Sequence, residues 1–284
     1  MAASELDIRA LSSMIRVPST RTQAVDELQR TLVRLLEMFV PDPHTFSDLL
    51  TETGSILTGQ AALWFMMRDN GHPKPRTLTI CCPLHRFETV YGFLLQLPGA
   101  LAHPFPLDRF LSDENRADCF GVQRRMLVET EKGTLELLES TSITALHPVP
   151  FQYGTHLMNV LSPRHFISPY ASLTLKKMAF IPPLFGRRLS RDLPTHDSTR
   201  FTFWTRPAAV SEVEQTCYMF PACSKRVRTF ADDDCLVIPC MTRSGESYHD
   251  IAIESTCTAW RLGGLPCENR RCFLEVERVV VTET

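Results

Sequence analysis

Residues Thr53 to Pro83 read TGSILTGQAALWFMMRDNGHPKPRTLTICCP. Ser55 to Thr58, apolar at Ile56 and Leu57, predicts a brief buried strand. The chain then turns at Gly59-Gln60 and enters Ala61 to Arg68, a stretch with almost no polar residue until its end. That pattern predicts a helix buried over most of its surface. DNGHPKP, from Asp69, is a turn-rich connection. RTLTICC, ending at Cys82, alternates as a strand does. Leu78 and Ile80 share one face, and Thr77, Thr79 and Cys81 share the other. Strand, glycine turn, apolar helix and second strand form one unit, and the rest of the chain is read around it.

Upstream, Ala24 to Phe39 carries Val25, Leu28, Leu32, Leu35, Leu36 and Phe39 at helical spacing. Asp26 and Glu27 favour the positive end of its dipole, Thr22 is the expected N-cap, and Pro41-Asp42-Pro43 is the expected stop. A shorter helix is expected over TFSDLLTE, ending at Gly54. Downstream, HRFETVYGFLLQL returns to helical spacing before Pro98-Gly99. Phe120 to Thr141 reads as two strands joined at Glu131-Lys132-Gly133. Gly154 to Leu161 is a candidate helix opened by Thr155, and a second candidate covers YASLTLKKMAF before Ile181-Pro182-Pro183.

The expected division is a domain over residues 20–180, a Pro-, Gly- and Arg-containing linker over 181–200, and a Cys-rich extension over 201–284. That extension is short-stranded, packed on or beside the domain, and ends in the strand-like CFLEVERVVVTE. The fold class expected is α/β or α+β, with a mixed sheet and flanking helices.

The formal net charge of −2 gives no general drive toward nucleic acid or anionic membrane. Arg187-Arg188, Arg270-Arg271 and Lys225-Arg226 with Arg228 are short basic runs of the kind that face water. No stretch approaches the ~18 apolar residues that span a bilayer. MAASELDIRALSSMIRV lacks a long apolar run, so no secretory leader is expected. The 10 cysteines then read as reduced thiols of an intracellular protein, cytoplasmic or nuclear.

The strand–turn–helix–strand unit resembles the core of the nucleotidyltransferase fold. The chain is similar to a group of largely uncharacterised mushroom-type fungal proteins related to that fold. In that group a "GS.AL.F..R" turn and helix leads through a Pro-containing loop to "DLDFYCP"; here GQAALWFMMR and TLTICCP stand in those places. The group's "H.T..MNF.S" and "YP.LT" are matched by YGTHLMNVLS and YASLTLKK. Its late Cys–Cys–Arg–Asp–Cys elements are similar to Cys217, Cys223, Arg228, Asp234 and Cys235. The resemblance covers roughly residues 46–240.

The resemblance implies a site and also its loss. Nucleotidyl transfer in this fold uses two divalent ions that activate the attacking hydroxyl and neutralise the triphosphate. Mg²⁺ takes hard oxygen ligands, and two Asp at i and i+2 on one strand point the same way and share both ions. A third carboxylate comes from a neighbouring strand, and a Gly-Ser turn at a helix N-terminus receives the phosphates. In this chain Thr77 and Thr79 replace the pair, Gly59-Gln60 replaces Gly-Ser, and Glu136, between Leu135 and Leu137, has the setting of the third carboxylate. Threonine hydroxyls are neutral, so the expectation is a catalytically inactive relative with a vestigial nucleotide cleft at Gly59 and Gln60, acting as a binding or interaction domain for a nucleotide or a protein partner. The rival expectation is a Mg²⁺-dependent enzyme in which Asp69 and Glu88 supply relocated carboxylates.

A second rival places function in the Cys-rich extension. Structural zinc wants close cysteine pairs, and Cys235-x₄-Cys240 with Cys267-x₄-Cys272 come nearest to that spacing. Free buried thiols are the alternative reading. Cys81-Cys82 before His85 raises a nucleophile, which needs a nearby base and a lowered thiol pKa. ADDDC, Ala231 to Cys235, lacks the alternating Asp and the Gly of a calcium loop and reads as a turn. His156 is expected to pack or cap, and Ser162-Pro163 and Ser168-Pro169 to make turns.

Overall fold

The computed structural model describes residues 6–68, 73–104, 121–181, 201–204, 222–223, 226–240 and 258–262. They form a mixed α/β structure of six helices and an eight-stranded sheet, with two further two-stranded sheets. By contacts they fall into two compact units. The first draws on the described residues within 1–151, 159–167 and 237–247, and the second on those within 152–158, 168–236 and 248–284. The expected linker lies almost wholly outside the described residues, as does the terminal strand-like segment.

Helix α1, Ile8–Ile15, is capped by Asp7, whose carboxylate accepts from Ala10 N at 2.7 Å. Helix α2, Pro18–Leu36, begins six residues before the expected start, and Thr22 lies inside it rather than capping it. Pro18 is the reason: at the first helical position its fixed φ suits the helix and its missing N–H costs nothing. Asp42 does more than stop a helix. Its carboxylate accepts from His44 N and Thr45 N and caps helix α3, Pro43–Thr53, which closes at Gly54 with φ +66.

Strand β1, Ile56–Thr58, leads through Gly59 at φ +67 into helix α4, Gly59–Met67. That left-handed φ favours glycine. Ala61, Ala62, Leu63, Phe65 and Met66 are all fully buried, as an apolar helix requires. Arg68 ends α4 in the left-handed region, and its guanidinium accounts for the contortion. It donates to Glu27 Oε1 at 2.7 Å, Thr31 Oγ1 at 2.9 Å and the Leu6 carbonyl at 3.1 Å. Together these ties join α2, α4 and the segment before α1.

Strand β2, Thr77–Cys82, follows, then helix α5, Phe87–Leu94, and strands β3, Leu101–Pro104, β4, Val122–Glu129, and β5, Thr134–Ser140. Strands β6, Val160–Leu161, β7, His165–Ser168, and β11, Leu236–Pro239, complete the large sheet in the order β11-β7-β6-β1-β2-β5-β4-β3. Strand β1 is antiparallel to β2, β2 is parallel to β5, and β4 with β5 makes the expected hairpin. Leu57, Leu78, Ile80, Leu135 and Leu137 are buried in it, and Phe65 of α4 packs on Phe166 of β7 at 5.5 Å between ring centroids.

The helix expected over 154–161 does not form. The chain makes one 3₁₀ turn, Thr155–Leu157, then extends as β6 with Leu161 opposite Leu57, while Thr58 Oγ1 donates to the Asn159 carbonyl at 2.7 Å. Strand β1 has a second edge to satisfy, and a buried unpaired edge costs more than a short helix returns. Near Gln29 of α2 the same region is clamped: its side-chain amide donates to the Pro163 carbonyl at 3.1 Å and to the Cys240 carbonyl.

The second unit holds helix α6, Ala171–Thr174, the parallel pair β8, Met178–Phe180, with β9, Thr202–Trp204, and the antiparallel pair β10, Arg228–Thr229, with β12, Ala259–Trp260. The helical spacing of 170–180 therefore yields one turn only. Lys177, at φ +56, redirects the chain into β8.

Candidate functional site

The unit opened by Gly59 brings three of the five site residues read from the sequence together. Parallel register sets Thr79 beside Glu136, and the Thr79 hydroxyl donates to Glu136 Oε2 at 2.8 Å. Gly59 adjoins them: a Cβ added there would lie 3.7 Å from Thr79 Oγ1. Thr77, two residues earlier on the same face, lies at the strand start beside Thr134 and is partly exposed. Gln60 is half-buried in the first turn of α4.

One decisive residue was missed in the sequence. Arg125 of β4 donates through Nε to Glu136 Oε1 at 2.6 Å, and a terminal guanidinium nitrogen approaches the same oxygen. Each Glu136 oxygen thus has a partner, a hydroxyl on one side and a cation on the other. The Glu136 side chain is 14% exposed and that of Arg125 30%, so the pair is shielded without being dry. A signal for it existed. With a turn at 131–133, the hairpin sets Leu127 opposite Glu136, which puts Arg125 on the same face one step along. Arg125 thus sets a positive charge beside this carboxylate.

Glu88 does not join this group. Its Oε1 accepts from Arg124 at 2.6 Å, and Arg124 also holds Glu139 Oε2 at 2.6 Å while covering the Phe87 ring at 4.0 Å. Glu139 is three residues beyond Glu136 on β5, so it projects from the opposite face of the sheet. Asp69 lies outside the described residues.

The adjacent thiols are not poised as nucleophiles. Burial raises Cys81 well above the ordinary thiol range and pushes Cys82 up to about 12, with Glu139 adding to the latter. Both are therefore protonated at neutral pH. The backbone N–H of His85 donates to Glu139 at 3.1 Å, and its ring is exposed.

In the second unit Asp232 and Cys235, both half-buried, gather around the buried Arg228. Arg228, 1% exposed, reaches Asp232 through Nε at 2.5 Å and through Nη2 at 2.9 Å, donates to the Pro169 carbonyl at 2.7 Å and lies over the Tyr170 ring at 4.7 Å. Trp260 Nε1 donates to the Tyr170 hydroxyl at 3.0 Å. Burial raises the Asp232 carboxyl, and the Arg228 bond outweighs that and holds it below the usual carboxylate value. Cys235 donates its thiol hydrogen to the Thr229 carbonyl at 3.2 Å, and burial, with the Asp232 charge, pushes it up to about 12. Cys240 is raised to about 12 by burial alone.

Strand β11 stands between Cys235 and Cys240, and the two cysteines belong to different compact units. Cys267 and Cys272 lie outside the described residues. Among the described residues no group of three or more His, Cys, Asp or Glu side chains is arranged to hold a metal ion. His156 packs among Tyr153, Phe201 and Phe203, with centroids 4.9 Å apart for Phe201. Among the described residues no helix is long and apolar enough to cross a membrane.

Compared with known proteins, the chain matches no family model, no curated sequence and no solved structure.

Proposed function

We propose that residues around the β1–α4–β2 unit form a nucleotidyltransferase-like domain, akin to the mushroom-type fungal group, that has lost metal-dependent transfer and acts as a binding or interaction domain. Support for the fold comes from a strand, glycine turn, buried helix and antiparallel strand whose next neighbour runs parallel and carries an acid in register. Support for the loss comes from one observation above all: Glu136 is held by Thr79 and Arg125. Threonine at 77 and 79 leaves one carboxylate for a pair of ions that needs several, and a guanidinium already neutralises it.

Calorimetric titration of Mg²⁺ and of Mn²⁺ into the protein tests the reading. The expected result is no saturable binding, and identical traces for the wild type and Glu136→Gln. Saturable Mn²⁺ binding that Glu136→Gln abolishes would overturn it.

A further inference from the structure

We draw no further inference here: the strongest candidate, the start of helix α4 at Gly59-Gln60 with Arg125 and Glu136 beside it on the sheet face, belongs to the site already described, where the charged side chains are paired with each other.

Discussion

Arg125 Nε lies 2.6 Å from Glu136 Oε1, across the β4–β5 hairpin and on the sheet face that Thr77 and Thr79 share. On the proposed reading, Glu136 stands where a metal-dependent relative would carry its third carboxylate. Here two guanidinium nitrogens of Arg125 approach Oε1, and the Thr79 hydroxyl donates to Oε2.

On the same reading, supplying carboxylates at 77 and 79 should create metal binding. The triple substitution Thr77→Asp, Thr79→Asp, Arg125→Ala adds two carboxylates to that of Glu136 and removes the competing cation. Without metal it should be less stable by about 1–3 kcal/mol, because the second new carboxylate would replace Thr79, which is only 9% exposed. Mn²⁺ should recover that loss in a thermal melt. Retaining Arg125 should weaken Mn²⁺ binding about tenfold or more, roughly 1.4 kcal/mol. A folded triple variant that ignores Mn²⁺ would show that the backbone does not hold carboxylates in a shared metal geometry.

Glu27 should matter far more to stability than the site pair. It accepts from Arg68, whose side chain is only 5% exposed, and is bridged by the more exposed Arg30 and Arg34. Glu27→Ala leaves a buried guanidinium short of its counter-charge, at a cost of roughly 3–5 kcal/mol in urea unfolding. Arg125→Ala, at a partly exposed pair, should cost only about 1 kcal/mol. Burial raises the Glu27 carboxyl, but Arg68 and Arg30 outweigh it and keep the group below its ordinary 4.5. The stabilisation from this charge is present above pH 4.5 and is lost as pH falls through the lower folded value.

A separate loss should appear at milder acidity. Burial of the His165 ring, with Arg164 beside it, lowers its pKa from 6.5 to about 4. The unfolded chain takes a proton near pH 6.5 and the folded one does not until about 4, so stability falls as pH drops between these values. The slope approaches about 1.4 kcal/mol per pH unit where only the unfolded state is protonated. His165→Gln should flatten the melting temperature between about pH 6.5 and about pH 4.5. An unchanged slope in that variant would assign the loss to other groups.

The central unit was legible because its signals are local. Glycine at a left-handed turn, an apolar helix and alternating threonines each act within a few residues. Glu136, far along the chain, entered only through the resemblance, and parallel register sets it beside Thr79. What escaped depended on distant partners. Val160-Leu161 became a strand because β1 lacked a neighbour on that side, and Arg125 acquired its place through hairpin register. The start of α2 at Pro18 is also a local signal, since proline at a first helical position reads as a start as readily as a stop.

The most direct test of the account is a thermal-shift panel of the four nucleoside triphosphates, each with and without Mg²⁺. A ligand bound only by the folded state, at a hundredfold excess over its Kd, stabilises by about 2.7 kcal/mol, which is several degrees in Tm. The account predicts that Mg²⁺ changes none of the four shifts. A Mg²⁺-dependent rise that disappears in Glu136→Gln would contradict it and return Glu136 to a working metal site.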